Sequence, residues 1–364
     1  MRKCRDRTIW RWFEFFPVTD RSSIVSLGEG DTPLIHARRL GTLLDIPNLY
    51  LKNDALLPTG SLKDRSNSVA ISVAKELGFS TAAVISTGNA AASVAAYAAA
   101  AGMKSVVMVP AGTASSKIIQ ARAHGATVIV VQGSFDHEVA QLYRTAIDEF
   151  GWYDCLSSNP YRVGKKSYAY EFIDQLGGEA PDWVVHPTAG GAGIHFMWQG
   201  FKELAFLGCT HRLPKLVAAQ SAMAAPIAVA FEKGSAEVAP VIARETIAES
   251  IQVGNPAALG WRALSAVRES NGIASACTDA EILEAQSFAA KLAGIFAEPA
   301  AAVSLAAAKK LRAAGLINRQ DVVVCNVTGH GLKQPEAVRV SEDELRPISP
   351  NLIALQDRLR RRET

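Results

Sequence analysis

From residue 49 onwards, short apolar segments alternate with longer segments of helical periodicity. The strand-like segments are 49–51, 82–86, 105–109, 127–131, 183–186, 215–220 and 322–327. This alternation favours an α/β fold, because a helix that crosses over between two strands leaves them parallel. We therefore predict two α/β domains with a cleft between them. The larger would comprise residues 1–50 and 156–345, the smaller residues 51–155, and residues 346–364 would form a C-terminal tail.

The composition limits the kinds of partner that the chain can bind. It has 364 residues, is 49% hydrophobic and 20% charged, and carries a net charge of +3, which suggests neither nucleic-acid nor membrane binding. No apolar run reaches the roughly 18–20 residues that span a bilayer, and no signal-peptide apolar region follows the basic N-terminus. The five cysteines form no Cys-x-x-Cys pair, and the seven histidines show no ligand spacing. We expect a reduced, cytoplasmic protein without a metal site.

A lysine stands where a turn passes into a helix. Pro58, Thr59 and Gly60 form the turn, Ser61 can cap, and helical periodicity begins at Lys63. The partly positive N–H groups at a helix start disfavour the ammonium form, which helps to keep a lysine neutral and nucleophilic. The alternative is an ordinary solvated lysine in the first turn of a helix.

Three further strand-like segments end in turns of small residues. These turns are Ser86-Thr87-Gly88-Asn89, Thr188-Ala189-Gly190-Gly191-Ala192-Gly193 and Thr328-Gly329-His330-Gly331. The second turn lacks bulky side chains, so its backbone N–H groups and the following helix start can approach an anion closely. Neither glycine-rich turn completes the Gly-x-Gly-x-x-Gly fingerprint of dinucleotide-binding proteins. Tight strand–helix turns and a helix cap at Asn89 are the structural alternatives.

The order of these features resembles the pyridoxal phosphate (PLP) site of tryptophan synthase β-like, fold type II enzymes. The features are the lysine, the Asn turn, the glycine cradle (residues 189–193) and the Thr-Gly turn. The closest resemblance is to the threonine synthase family. It runs from Gly28-Glu29-Gly30-Asp31-Thr32-Pro33-Leu34 to Gln334-Pro335, and includes Asn159-Pro160-Tyr161-Arg162 and Glu298-Pro299-Ala300. It implies an α/β fold of two parallel-sheet, three-layer domains with PLP in the cleft between them, and a homodimer.

The resemblance also implies site residues. Lys63 would be the catalytic residue, which holds PLP covalently and later moves protons. Cofactor binding is implied for Lys63, Asn89, Ala189, Gly190, Gly191, Ala192, Gly193 and Thr328. Substrate binding is implied for Ser86, Thr87, Gly88, Ala90, Ser157, Arg162 and Lys166. A hydroxyl such as that of Thr328, facing the pyridine nitrogen, would leave this nitrogen largely unprotonated and favour elimination and replacement over transamination.

The implied reaction is that of a PLP-dependent carbon–oxygen lyase. It is γ-elimination of phosphate from O-phospho-L-homoserine, followed by hydration at the β-carbon to give L-threonine. Arg162 would bind the substrate phosphate, since a guanidinium suits a bidentate phosphate contact.

Several positions depart from the family pattern: Ala90, Leu156 and Gly190 replace usual polar residues, Gln252 replaces Arg, Leu62 replaces Phe, and the chain is one residue shorter between Arg162 and Lys166. Each donor lost to a buried anion costs about 1–3 kcal/mol. The departures keep a second hypothesis open, β-elimination or β-replacement on another amino acid, as in threonine or serine dehydratases or cysteate synthase. A non-catalytic PLP-fold binding protein is a third, against which the intact cofactor residues speak.

Overall fold

A computed structural model describes residues 6–133, 138–156, 159–338, 340–341 and 345–360. The chain divides into one compact unit that ends at Lys333 and a second that begins at Gln334. The strands are β1 (Leu34–His36), β2 (Leu49–Asn53), β3 (Thr81–Ile85), β4 (Lys104–Pro110), β5 (Thr127–Val131), β6 (Tyr153–Asp154), β7 (Trp183–Pro187), β8 (Lys215–Ser221), β9 (Ile273–Cys277) and β10 (Val323–Val327).

The helices that precede Gln334 connect these strands and cover both sheets, and a further helix belongs to the second unit. They are α1 (Arg38–Leu43), α2 (Lys63–Glu76), α3 (Asn89–Ala100), α4 (Ser115–Ala123), α5 (Ala140–Phe150), α6 (Ser167–Gln175), α7 (Ala192–Phe206), α8 (Pro226–Glu232), α9 (Ala257–Glu269), α10 (Asp279–Ala293), α11 (Pro299–Ala313) and α12 (Leu352–Arg360).

The larger sheet has six strands in the order β1-β2-β10-β7-β8-β9. All neighbouring pairs are parallel except β1 with β2. Successive residues of β10 belong to two separate apolar cores: Val323 and Cys325 lie in one and Val324 in the other. A parallel sheet that buries both faces in this way is the middle of three layers.

The smaller sheet has four parallel strands in the order β5-β4-β3-β6. It is also covered on both faces, because Ala82 and Val84 belong to one apolar core while Ala83 and Ile85 belong to another. The α/β class with two parallel-sheet, three-layer parts is therefore confirmed.

Every strand-like segment of the sequence forms a strand, and three of the described strands were not predicted. β1, β6 and β9 are not among the strand-like segments of the sequence. Residues 36–44, whose sequence is helix-like, split into the end of β1 and the short α1. The predicted domain boundary at residue 51 falls inside β2, which belongs to the larger sheet. The helix-like segment 135–150 is described from residue 138, because residues 134–137 lie outside the described part of the chain, and α5 begins at Ala140.

A buried ionic network fixes the start of α2. The Arg65 guanidinium donates to both oxygens of Asp54 (2.7 and 2.8 Å) and to both oxygens of Glu171 (2.6 and 3.0 Å). The Lys52 ammonium forms an ion pair with the same Glu171 carboxylate. All four side chains are fully buried, so the first turn of α2 is held against β2 and α6 by groups that water does not reach.

The unit from Gln334 contains a 3₁₀ turn, Pro335–Ala337, and helix α12, in which no residue is buried. Across the described ranges of the whole chain, none of the helices combines the length and apolar character needed to cross a bilayer.

Candidate active site

The turn before Lys63 is hydrogen-bonded to the turn that follows β10. The Leu62 N–H donates to the Thr328 carbonyl (2.8 Å), the His330 N–H donates to the Gly60 carbonyl (3.0 Å), and Ser61 pairs with Gly329 in an isolated antiparallel bridge. Gly60 has a φ of +79°, a conformation that glycine adopts without strain. Two distant parts of the sequence thereby form one platform, with Lys63 as the first residue of α2 on it.

The Lys63 amine is predisposed to be neutral. It makes no hydrogen bond or ion pair within the described ranges. Its partial burial, and next the positive charge of Arg162, lower its pKa to about 8, and the Glu298 carboxylate opposes this shift. A substantial neutral fraction near physiological pH is what a nucleophilic or proton-accepting lysine requires.

Asn89 is held by a carboxylate that the sequence analysis did not assign to the site. Its Nδ2 donates to Glu298 at 2.9 Å (Oε2) and 3.2 Å (Oε1), and the Ser250 hydroxyl donates to Oε2 at 3.1 Å. Burial raises the pKa of Glu298, while the bond from Asn89 and the charge of Lys63 lower it. A Cβ at Gly329 would lie 2.3 Å from Glu298 Oε1. Only glycine therefore leaves room for this carboxylate beside the Thr328 turn.

The glycine cradle connects β7 to α7, and close packing explains two of its glycines. A Cβ at Gly193 would lie 2.0 Å from Nε2 of His186, and one at Gly191 would lie 2.6 Å from the Cβ of Ala263. At Gly190, by contrast, an added Cβ would meet nothing within 4 Å. The cradle is thus packed tightly on its protein side and open at Gly190, next to the first N–H groups of α7, which lack intrahelical partners.

His186, below the cradle, contributes no positive charge. It is buried, and its Nδ1 lies 2.8 Å from Nδ2 of Asn326. Burial, followed by the charges of Lys165 and Lys63, lowers its pKa to about 3. The charge of Lys63 therefore reaches the side chain on which the cradle packs, which brings the lysine and the cradle into one site.

The turn Ser86–Gly88 leads directly into Asn89 and is half-buried, as is Ala90. The Gly88 N–H donates to the Ser86 hydroxyl (3.2 Å), and a Cβ at Gly88 would meet nothing within 4 Å. Open space therefore adjoins this turn, as a substrate-binding turn requires.

Arg162 is buried and only partly hydrogen-bonded. Its Nη1 donates to the Cys155 carbonyl (2.8 Å), and its Nε has no partner in the part of the chain that the structure describes. Burial lowers its pKa, and the neighbouring Cys155 and Asp154 raise it. The predicted neighbour Ser157 lies outside the described residues, so its placement stays a prediction.

Lys166 is not brought to this group. Its ammonium donates to the Phe15 carbonyl (2.7 Å) and to Glu203 (2.8 Å), so the N-terminal segment and α7 occupy it. The neighbouring Lys165 instead lies in the field of Arg162 and Lys63. The deletion of one residue after Arg162 in the sequence was the signal that the lysine register in this turn had changed.

These residues fit PLP. The cradle offers backbone donors for a phosphate, and the Lys63 amine is available. The buried Thr328 forms no side-chain hydrogen bond within the described ranges, so its hydroxyl is available too. The same ranges contain no group of three or more His, Cys, Asp or Glu residues that could hold a metal ion.

Comparisons with known proteins show the family to which this chain belongs. The family "Pyridoxal-phosphate dependent enzyme" matches residues 25–329. The threonine synthase of Methanocaldococcus jannaschii is 43% identical over 345 residues, covering 94% of this chain and 85% of that protein. That of Methanosarcina acetivorans is 40% identical over 352 residues, covering 96% and 86%.

Among solved structures, the processed threonine deaminase isoform 2 from Solanum lycopersicum superposes with a TM-score of 0.72 at 18% identity, covering 93% of this chain and 91% of that one. Maize serine racemase gives 0.70 at 19% identity, covering 92% and 94%. At these identities the structural similarity shows the fold alone, whereas the relatives with higher sequence identity show the protein family. This chain belongs to the pyridoxal-phosphate dependent enzymes and, among them, to the threonine synthase family.

Proposed function

We propose that this chain is a threonine synthase that converts O-phospho-L-homoserine into phosphate and L-threonine. The observation that carries the proposal is the low-pKa Lys63 amine in the field of the buried Arg162, in a chain whose relatives at 37–43% identity are threonine synthases. A lysine of this kind can exchange protons with carbon, and the guanidinium can stabilise a phosphate that leaves.

The cofactor is proposed to lie among Lys63, Asn89, Thr328 and the glycine cradle. Bound PLP supplies the electron-withdrawing system that makes the α-proton of an amino acid acidic. Glu298 orients the Asn89 amide, and Asn89 with the Thr328 hydroxyl would fix the ring. The Thr328 hydroxyl, rather than a carboxylate, would leave the ring nitrogen largely unprotonated, which would favour elimination over transamination.

The substrate would lie between this group and Arg162. Ser86, Thr87 and Gly88 are proposed to bind its carboxylate, and Arg162, with Ser157, its phosphate. The Lys63 amine accepts the α-proton and then takes part in moving a β-proton so that the γ-phosphate can leave. Because Arg162 is buried, its charge acts at low effective dielectric, where stabilisation of a departing dianion is strong.

The activity is tested by a single turnover of purified holoenzyme with O-phospho-L-homoserine, in which phosphate and threonine are both assayed. We expect one equivalent of each per active site. Lys63→Ala should abolish both products and the visible absorbance of the cofactor. Lys75→Ala is the matched control, since Lys75 lies on the same helix and, among the described residues, donates to the Ser22 carbonyl alone (3.1 Å). Unchanged turnover in Lys63→Ala would refute the assignment.

The second candidate, β-elimination or β-replacement on another amino acid, is favoured by the missing polar side chains at Ala90, Leu156 and Gly190. It predicts no phosphate release from O-phospho-L-homoserine. Instead, keto-acid or replacement products should form from serine, threonine or phosphoserine. The same preparation decides between the two functions.

We further propose a cytoplasmic homodimer. The four cysteines among the described residues, Cys155, Cys209, Cys277 and Cys325, are all free thiols, which supports a reducing compartment. A mass near 39 kDa by light scattering, where one chain is 38.8 kDa, would contradict the dimer.

A further inference from the structure

Lys165 is a buried lysine to which the proposed mechanism gives no role. It lies in the 3₁₀ turn Val163–Lys166 and is 5% exposed. Within the described ranges its ammonium has no hydrogen bond and no ion pair. Lysine is rarely buried to this extent without a partner, because transfer of an unpaired ammonium from water is very unfavourable.

The turn that carries Lys165 is held close to Lys63. A Cβ at Gly164 would lie 1.7 Å from the carbonyl oxygen of Arg65, so only glycine allows the turn to pack on the first turn of α2. Since Arg65 is itself fixed by the buried network, the turn cannot easily move away. The neighbouring Lys166 has its own partners in Phe15 and Glu203.

The charges around Lys165 are mostly positive. Burial, and then the charges of Arg162 and Lys63, lower its pKa well below the ordinary lysine value. The neighbouring carboxylates interact with other basic side chains: Glu298 with Lys63, and Asp154 with Arg162. His186 is neutral. Three basic side chains thus share one region, and within the described part of the chain the amine of Lys165 has no anion of its own.

We infer that Lys165 and Arg162 together bind the phosphate dianion of the substrate. The inference rests on the proposed function and adds to it a residue that the family pattern did not mark. The Arg162 guanidinium can bind two phosphate oxygens in its plane, and the compact ammonium of Lys165 adds a point charge. Burial lowers the pKa of the Lys165 amine, and a bound dianion raises it again, so that binding is coupled to proton uptake from solvent.

This assignment accounts for the departures from the family pattern. Ala90, Leu156 and Gly190 remove uncharged polar side chains from the implied phosphate site. The Lys165 ammonium offsets part of this loss, because it adds a direct charge–charge attraction to its hydrogen bonds with the dianion. The cofactor phosphate is the other phosphate monoester that Lys165 could bind, but the cradle has its own backbone donors.

Sulfate is a suitable probe, because it imitates a phosphate dianion and does not titrate. We would titrate holoenzyme with sulfate by calorimetry near pH 8, in two buffers of different ionisation enthalpy. The unchanged chain should bind sulfate with net proton uptake and in competition with O-phospho-L-homoserine. Lys165→Met should weaken sulfate binding and raise the KM for O-phospho-L-homoserine by at least about tenfold, with a smaller effect on kcat.

Two further variants separate a charge role from a structural one. Lys165→Arg should restore most of the sulfate affinity but abolish the proton uptake, because a guanidinium is always charged. Lys166→Met, the adjacent control, should leave sulfate affinity and proton uptake as they are. The inference is overturned if Lys165→Met and Lys165→Arg bind sulfate like the unchanged chain, or if Lys166→Met rather than Lys165→Met loses it.

The cofactor alternative has its own outcome. If the Lys165 variants release PLP at concentrations where the unchanged chain keeps it, seen as loss of visible absorbance, Lys165 belongs to the cofactor phosphate and the inference is wrong. Turnover of O-phospho-L-homoserine by the unchanged chain tests the proposed function separately. If the chain makes threonine but binds sulfate independently of Lys165, only the inference is refuted. If it binds sulfate through Lys165 but makes no threonine, only the proposed function is refuted.

Discussion

Replacing Glu171 by glutamine should destabilise the fold by a predictable amount. The substitution keeps the shape of the side chain but removes the negative charge that faces Arg65 and Lys52, all of them fully buried. Burial alone would raise the pKa of Glu171, but the charges of Arg65 and Lys52 outweigh it and lower the pKa from 4.5 to about 2. At about 1.4 kcal/mol per pKa unit, ionisation of this carboxyl contributes about 3 kcal/mol to folding.

The pH dependence of this contribution has a definite sign. Because the folded-state pKa lies below the unfolded-state value, the stabilisation is fully present above pH 4.5 and is lost as the pH falls toward 2. At pH 7 we expect Glu171→Gln to lower the free energy of unfolding by about 3–5 kcal/mol, as for other broken buried ion pairs. The difference between the two proteins should shrink below pH 4.5.

The assay is equilibrium urea unfolding, followed by far-ultraviolet circular dichroism with refolding verified, at pH 7 and near pH 4. Glu284→Gln is the matched control: Glu284 pairs with Lys309, and both side chains are 44% exposed. Exposed pairs contribute about 0–1 kcal/mol, so this variant should stay close to the unchanged chain. A loss below about 1 kcal/mol in Glu171→Gln would refute the view that the network stabilises α2.

Three further predictions concern the cofactor site. The rate at which cofactor-free protein binds PLP should rise with pH around a midpoint near 8, because the neutral Lys63 amine is the reactive form; a flat profile between pH 6.5 and 9.5 would contradict this. Glu298→Gln removes a negative charge that raises the pKa of Lys63, so the midpoint of the same profile should move to lower pH. An upward shift of the midpoint would show that Glu298 does not stabilise the charged form of Lys63. Gly193→Ala should lower the free energy of unfolding of the cofactor-free protein by about 1–3 kcal/mol in urea, because the added Cβ would meet His186. Gly190→Ala is the control and should have no such effect, because the space beside Gly190 is open. Equal effects of the two substitutions would show that the cradle is not packed as described.

The sequence was sufficient for the α/β class, because β-branched runs such as Val323–Val327 and long helical segments alternate regularly. It was insufficient for β9, whose residues Ile273–Cys277 are mostly small and include a single β-branched side chain. This strand forms because β8 offers it an edge for hydrogen bonding, and sequence periodicity does not encode such an edge. The two-residue β6 has no pattern of its own for the same reason.

Local sequence was more informative about the proposed cofactor residues than about the residues that support them. Lys63, Asn89 and the glycine cradle are each marked by a turn after a strand. Glu298 has no such mark, because its partner Asn89 is 209 residues away in the chain. The choice between Lys165 and Lys166 depends on how a 3₁₀ turn packs, and a shift of one residue changes which side chain faces the site.

The position of β10 has a consequence for biosynthesis. β10 lies between β2 and β7, and its following turn is hydrogen-bonded to the turn before Lys63. On the ribosome, β2 emerges early and has only its antiparallel partner β1 until β10 has been made. The cofactor pocket therefore cannot close on a nascent chain that lacks the last strand. Because β10 and the turn that supports Lys63 are made late, the proposed cofactor residues come together only when synthesis of the chain is nearly finished.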